Sequence, residues 1–195
     1  MPETGPNVIP FGTRLFQALN RKKLELLAAV ASTPEIRTAV YLDGDIIMYN
    51  DPVPDLVERL AAPDAPQMLF QCDEQTRVDC SGSAGPGSNC TNPCSGVIAW
   101  RHGLDPTVFK IQGEELQRVW NKQPEDQIYI QHMVRLLGVP FATLPRNLYP
   151  NGMWASFYGP DSALKRVSKL LHYNYIVGDM KQKRMKSNGD WLIPY

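Results

Sequence analysis

Residues 41–52 read YLDGDIIMYNDP, and the fold turns on how they are read. An apolar run, Ala39 to Leu42, stops on two carboxylates, Asp43 and Asp45, with Gly44 between them. In extended chain, residues two apart project to the same side, and a glycine lets another group approach the backbone closely. Two unpaired carboxylates at a sheet's edge repel each other and lose hydration, whereas a hard divalent cation satisfies both and keeps positions for phosphate oxygens. The plainer alternative is a turn or helix cap in which the aspartates serve local hydrogen bonds. A calcium hand does not fit, because its fifth, sixth and twelfth loop positions would be Ile47, Met48 and Pro54. Asp51, beside Pro52, reads as a turn residue opening the next helix.

Outward from this stretch, strand and helix alternate. Thr13 to Ser32 places Leu15, Leu19, Leu26 and Val30 near one helical face, with charges on the others, and Thr33-Pro34 ends the helix. TAVYL then reads as a strand buried on both sides, as in a parallel sheet. A proline-led helix runs to Ala62, and QMLFQ and GVIAW are strands. LDPTVFKIQGEELQRVWNK is a helix that Gly113 interrupts. PEDQIYIQHMVRLLG opens with a proline and acids and closes on Gly138, so it carries start and stop signals together. FATL is a further strand, PRNLYPNG a loop, and SKLLHYNYIV an apolar segment before the basic GDMKQKRMKSNG. The expected fold is α/β, an open sheet with helices on both faces, in a single domain spanning residues 1–195; ligands sit beyond the strands' carboxyl ends.

Twenty basic residues balance twenty acidic ones, so the overall field carries no nucleic-acid footprint. There is no apolar stretch of membrane-spanning length, and MPETGPNVIP lacks secretory-signal features, so the chain as written reads as soluble, with no membrane segment. Cys72, Cys80, Cys90 and Cys94 fall in one Gly-, Ser- and Pro-rich loop, residues 72–94. Their even number and clustering point to two disulfides of unspecified connectivity, with a structural zinc or free thiols as alternatives. Disulfides would place the chain in the secretory lumen, and Asn89-Cys90-Thr91 fits a glycosylation acceptor; reduced cysteines would leave it cytoplasmic.

The second chemical segment is HYNYIVGDMK, with His172, Gly178 and Lys181. An imidazole can complete a carboxylate metal site, and an ammonium group offsets charge that grows on a departing diphosphate. Taken singly, His172 also suits a satisfied core histidine, and Lys181, Lys183, Arg184 and Lys186 a solvated helix face.

In order, FGTRLFQALNRKKLELLAAV, YLDGDIIMYNDP, NPCSGVIAW, EDQIYI and HYNYIVGDMK with GDW resemble the nucleotide-diphospho-sugar transferases of the GT-A fold, most closely glycosyltransferase family 77. The resemblance spans Phe11 to Trp191 and implies a GT-A-like open mixed sheet flanked by helices. It implies that Asp45 is the principal metal ligand, Asp43 a second ligand or ribose contact, and His172 the ligand from the far end of the chain, around Mn2+ or Mg2+. Gly178 and Lys181 would touch the donor diphosphate, and Asn92, Ser95 and Gly96 would line the donor sugar. Asp126 and Gln127 would be the catalytic pair beside the sugar; Asp126 also suits a helix N-terminal acid favoured by the dipole. Trp154 and Tyr158 would stack on a sugar or pack. The implied activity is retaining hexosyl or pentosyl transfer from a nucleotide-sugar donor, a UDP-sugar, to a hydroxyl of a glycan or protein acceptor in the Golgi. One departure stands out: the family has strands and a helix ahead of the first helix seen here, and only Met1–Pro10 precede Phe11. The amino-terminal nucleoside-binding strands are therefore expected to be lacking. That leaves a fragment, a shortened enzyme, or a non-catalytic metal- or sugar-nucleotide-binding remnant acting as an interaction module; a cysteine-stapled interaction module is a further reading.

Overall fold

The computed structural model describes Ile9, residues 12–73 and residues 92–192. Four strands form the main sheet. Strand β1 (Thr38–Leu42) pairs antiparallel with β4 (Pro93–Arg101), Leu42 lying opposite Val97 and Thr38 opposite Arg101. Strand β3 (Met68–Cys72) pairs antiparallel with the other edge of β4, and β5 (Phe141–Thr143) adds parallel to β3, giving the order β1-β4-β3-β5. A separate ribbon joins β2 (Ile46–Met48) antiparallel to β6 (Leu170–His172).

The mixed α/β sheet flanked by helices agrees with expectation, but the parallel, doubly buried reading of TAVYL does not. Strand β1 is antiparallel and at the edge of the sheet, and of its residues only Ala39 is buried. The fully buried strand is β3, together with all of β4 except Arg101, because each is covered on both faces. On one face Phe70, Ile98 and Trp100 pack with α1 (Arg14–Ala31), the turn at Pro106–Phe109, α3 (Gly113–Lys122) and α4 (Asp126–Leu136). On the other, Leu69, Val97 and Ala99 meet Leu56 and Leu60 of α2 (Val53–Ala61), with Tyr149 and Leu170. Alternation along β4 thus divides one strand between two cores.

Helix α1 docks through the opposite stripe to the one its leucines suggest. Asn20, Leu24, Leu27 and Ala28 are buried, while Leu15, Leu19 and Leu26 are 56%, 49% and 55% exposed. At about 100° per residue, Leu15 and Leu24 lie on opposite sides of the helix, so sequence offers two apolar stripes and tertiary contacts choose between them. The chosen face carries Lys23 inward, its side chain 11% exposed.

Gly113 does interrupt its segment: a short 3-10 turn covers Pro106–Phe109, and α3 starts at Gly113 with φ +76°. Helix α4 is capped by Glu125, leaving Pro124 outside it, and is followed by Gly138 at φ +62°. Two further helices follow among the described residues, α5 (Ala163–Val167) and α6 (Gly178–Ser187). No helix among the described residues is long and apolar enough to cross a membrane.

Cys94 carries a free, buried thiol inside β4, which corrects the expectation of two disulfides among the four cysteines. Its Sγ accepts from the Gly96 amide at 3.4 Å and lies 3.8 Å from His172 Nδ1, in a strand interior with both faces packed. Burial raises its pKa strongly, so the inert thiol is the stable form. Cys80, Cys90 and the Asn89 acceptor lie outside the described residues, and with them any pairing of Cys72. Tyr158 is a packing residue: it is buried, stacks on Tyr49 at 5.9 Å, and shares a 2.6 Å hydrogen bond with Ser168. Trp154 packs against Phe157 in a 3-10 turn.

Candidate functional site

Strand β1 ends at Leu42 and β2 begins at Ile46, so Asp43, Gly44 and Asp45 form the connection at the end of the main sheet. The acids converge through this turn rather than through strand alternation. The Asp43 amide donates to Gly96 O at 2.8 Å, and Asp45 O accepts from the Tyr173 amide at 3.0 Å. Pairing of Ile46 with His172 across the ribbon then brings a residue 127 positions away beside the turn. His172 Nε2 lies 3.2 Å from Asp45 Oδ1 and 3.8 Å from Asp43 Oδ2. One ligating atom from each of Asp43, Asp45 and His172 falls within 4.8 Å of the others.

The imidazole is held in one orientation. Gln71 Nε2 donates to Tyr149 O at 3.1 Å and Pro150 O at 2.8 Å, which leaves Gln71 Oε1 as an acceptor 2.8 Å from His172 Nδ1. Gln71 Oε1 is thus placed to accept from Nδ1–H, and Nε2 faces the acids as the ring nitrogen available to a cation. Gly96 makes room for the ring: a Cβ there would sit 2.0 Å from His172 Cε1. Two carboxylates and an oriented imidazole suit a hard to borderline divalent ion such as Mn2+ or Mg2+. Because Gln71 acts only through the ring, Gln71→Leu is expected to weaken Mn2+ binding by about 10–100-fold, measured by calorimetry, with the fold intact by circular dichroism.

Two lysines balance the acids. Lys181, in the first turn of α6, places Nζ 2.5 Å from Asp45 Oδ2. Burial disfavours the Asp45 anion, but His172 and the Lys181 ammonium outweigh it and hold Asp45 well below the usual carboxylate range. Lys23 Nζ lies 2.9 Å from Asp43 Oδ1, 2.7 Å from Asp126 Oδ2 and 2.9 Å from Ser95 O, and 4.5 Å from the centre of the Tyr41 ring. Burial acts to lower its pKa, yet Asp126 and Asp43 together raise it, so Lys23 stays charged. Tyr41 OH donates to Asp43 Oδ1 at 2.7 Å.

Beyond Lys23 the site continues as one polar network. Asp126, buried at the start of α4, accepts from Ser95 Oγ at 2.7 Å, and Gln127 Oε1 accepts from the Ser95 amide at 3.2 Å. Gln127 Nε2 donates to Asp73 Oδ2 at 2.7 Å. Asp73 also accepts from Asn174 Nδ2 at 3.2 Å and Tyr175 OH at 2.5 Å, and Asn92 Nδ2 donates to Asp73 O at 3.1 Å. Tyr175 holds the left-handed φ of +63°, uncommon for a non-glycine residue. Asp43, Asp45, His172, Lys181, Asn92, Ser95, Gly96, Asp126 and Gln127 are thus brought together, and Gly178, at φ +56°, heads the helix that bears Lys181. The sequence reading did not single out Lys23, Gln71, Asp73 or Tyr175. Lys23 had one usable signal, a cation on the helix ahead of two acids that need one.

A cavity of about 330 Å³ between α1 and the Pro106–Phe109 turn, lined by Arg21, Glu25, Phe109 and Lys110 among others, contains none of these groups. Solved structures similar to the chain include the following two. Mouse xyloside xylosyltransferase 1 in its apo form is 14% identical with a TM-score of 0.49, the match covering 86% of this chain and 67% of that one. The galactosyltransferase LgtC, in complex with donor and acceptor sugar analogs, is 13% identical with a TM-score of 0.49, over 95% and 72% of the two chains. No family model and no curated protein matches.

Proposed function

We propose that the chain is a metal-dependent glycosyltransferase domain, transferring a sugar from a nucleotide diphosphate, a uridine diphosphate sugar, to an acceptor hydroxyl with retention at the anomeric carbon. The observation that carries this reading is the convergence of Asp43, Asp45 and His172 with Lys181 on Asp45. Asp43, Asp45 and His172 would hold Mn2+ or Mg2+. When bound, that cation supplies positive charge against the diphosphate.

The chain's own groups account for the rest. Lys181 presents an ammonium to the phosphoryl oxygens, where charge grows as the leaving group departs, and Gly178 allows those oxygens close to the backbone. Lys23 ties Asp126 to Asp43, so the sugar side and the metal side of the site share one buried cation. Asp126 faces the developing positive charge at the anomeric carbon. Gln127 is held by Ser95 and Asp73 with its amide beside the same region, and Asn92 and Ser95 line the sugar. The acceptor is a glycan or protein hydroxyl, attacking on the face that the nucleotide leaves.

The test is nucleotide release from a panel of uridine and guanosine diphosphate sugars with and without Mn2+. Release of UDP only with the metal is the expected result. Failure of every donor to bind with Mn2+ present overturns the reading, and binding without turnover reduces it to a sugar-nucleotide-binding module.

A further inference from the structure

A buried carboxylate that the proposed mechanism does not use lies behind the site. Helix α6 ends with Asn188 as its cap and Gly189 at φ +71°; the Gly189 amide donates to Lys186 O at 3.0 Å and the Asp190 amide to Met185 O at 2.8 Å. These two bonds close the helix end in a Schellman motif, so Asp190 is a rigid continuation of α6. Its side chain is 3% exposed. Asp190 Oδ2 accepts from Tyr49 OH at 2.7 Å and Tyr173 OH at 2.6 Å, and Oδ1 lies 2.5 Å from Lys165 Nζ. Lys165 also donates to Asn188 O, and Asn188 Nδ2 donates to Tyr173 OH at 2.9 Å.

Tyr173 directly follows the ligand His172, and Tyr49 directly follows β2. One carboxylate therefore grips both strands of the ribbon that carries His172 beside Asp45, and does so from the carboxyl end of α6. The other end of that helix carries Lys181 to Asp45. A helix of ten residues is about 15 Å long, so a small tilt at the gripped end becomes a displacement of Lys181 at the other. A lysine and an aspartate, 13% and 3% exposed, are costly to bury, and apolar side chains of similar volume would hold helix to ribbon at least as firmly. What the charged grip adds is one fixed orientation.

We infer that Asp190 is a positioning residue that sets the angle of α6 and thereby aims Lys181 at the donor diphosphate. This rests on the proposed diphosphate role of Lys181. The experiment measures dissociation constants for Mn2+ alone and for inorganic pyrophosphate at saturating Mn2+, in the wild type, Lys181→Met, Asp190→Asn and the double variant. Asp190→Asn is expected to weaken pyrophosphate about tenfold, as expected for a lost charge-assisted contact, and to change affinity for Mn2+ alone far less, because the β2–β6 pairing and Gln71 still hold His172. The double variant should bind pyrophosphate no more weakly than Lys181→Met, because the grip acts through that lysine. Losses that multiply, or an equal fall in affinity for Mn2+ alone, overturn the inference while leaving the transferase reading in place. A wild type that binds no pyrophosphate with Mn2+ overturns both. If Asp190→Asn does not fold, Tyr49→Phe, which removes one of the two hydroxyl donors, makes the same comparison with a smaller loss expected.

Discussion

Asp45→Ala and His172→Ala are each expected to lower Mn2+-dependent donor hydrolysis by on the order of 10³-fold, about 4 kcal/mol of transition-state stabilisation. Loss of a group that merely orients a metal ligand costs about 10–100-fold, and loss of the ligand itself should cost more. Asp45 stands at the meeting point: one oxygen faces His172 Nε2 at 3.2 Å and the other the Lys181 ammonium at 2.5 Å. The alanine variant removes an anionic donor and also releases Lys181 from the position in which Asp45 holds it, the one proposed to face the diphosphate. Because Asp45 is held ionised well below the usual carboxylate range, mild acidification does not mimic the substitution. Lys181 is partly exposed, so the cation left behind can hydrate, and thermal stability without metal should change far less than activity. The measurement is the initial rate of UDP release against Mn2+ concentration. Turnover that survives both substitutions would place the cation elsewhere.

The parts of this site that could be read in the sequence are those in which residue type and local spacing carry the chemistry. Asp43 and Asp45 with glycine between them, and His172 nine residues before Lys181, offer the residue types that a cation site and a phosphate partner call for, although each taken singly also suits a turn, a core histidine or a solvated helix face. Gln71 is different: it lies 101 positions from His172, and a glutamine in a buried strand has no local signature. Its function exists only because Tyr149 O and Pro150 O take its amide protons and leave its oxygen to the ring. The same non-locality explains the other departures. Periodicity announces α1 as amphipathic but cannot say whether the Leu15 or the Leu24 stripe docks, and Lys23 is drawn inward by acids on other elements. An apolar pentapeptide does not encode the direction of its neighbour, so the antiparallel pairing of β1 is fixed by β4. Clustering suggested that all four cysteines act as one group, yet Cys72 ends β3 and Cys94 lies inside β4 with a free thiol.

Gly96→Ala is expected to disable the metal site and lower stability together. An ideal Cβ at this position would lie 2.0 Å from His172 Cε1, 2.5 Å from Nδ1 and 2.9 Å from Nε2, distances no relaxation of a few tenths of an ångström relieves. The ring cannot shift and keep its contacts, since Gln71 binds Nδ1 and Cys94 Sγ lies 3.8 Å from it, both within the buried sheet. His172 must swing away, and in doing so it withdraws Nε2 from Asp45 and orphans Gln71 Oε1. Overpacking and an unsatisfied buried acceptor each cost about 1–3 kcal/mol, so a loss of about 3 kcal/mol is expected. For a chain of this length that is a fall of about 9 °C in Tm, accompanied by a loss of Mn2+ affinity comparable to that of His172→Ala. The diagnostic sign comes from combining the two. If the clash is with the imidazole, Gly96→Ala with His172→Ala will be more stable than Gly96→Ala alone, because the second substitution empties the space that the first one needs. Independent effects would make the double variant the least stable of the set, and a wild-type Tm with wild-type Mn2+ affinity in Gly96→Ala would remove the contact between β4 and His172 from the account of the site.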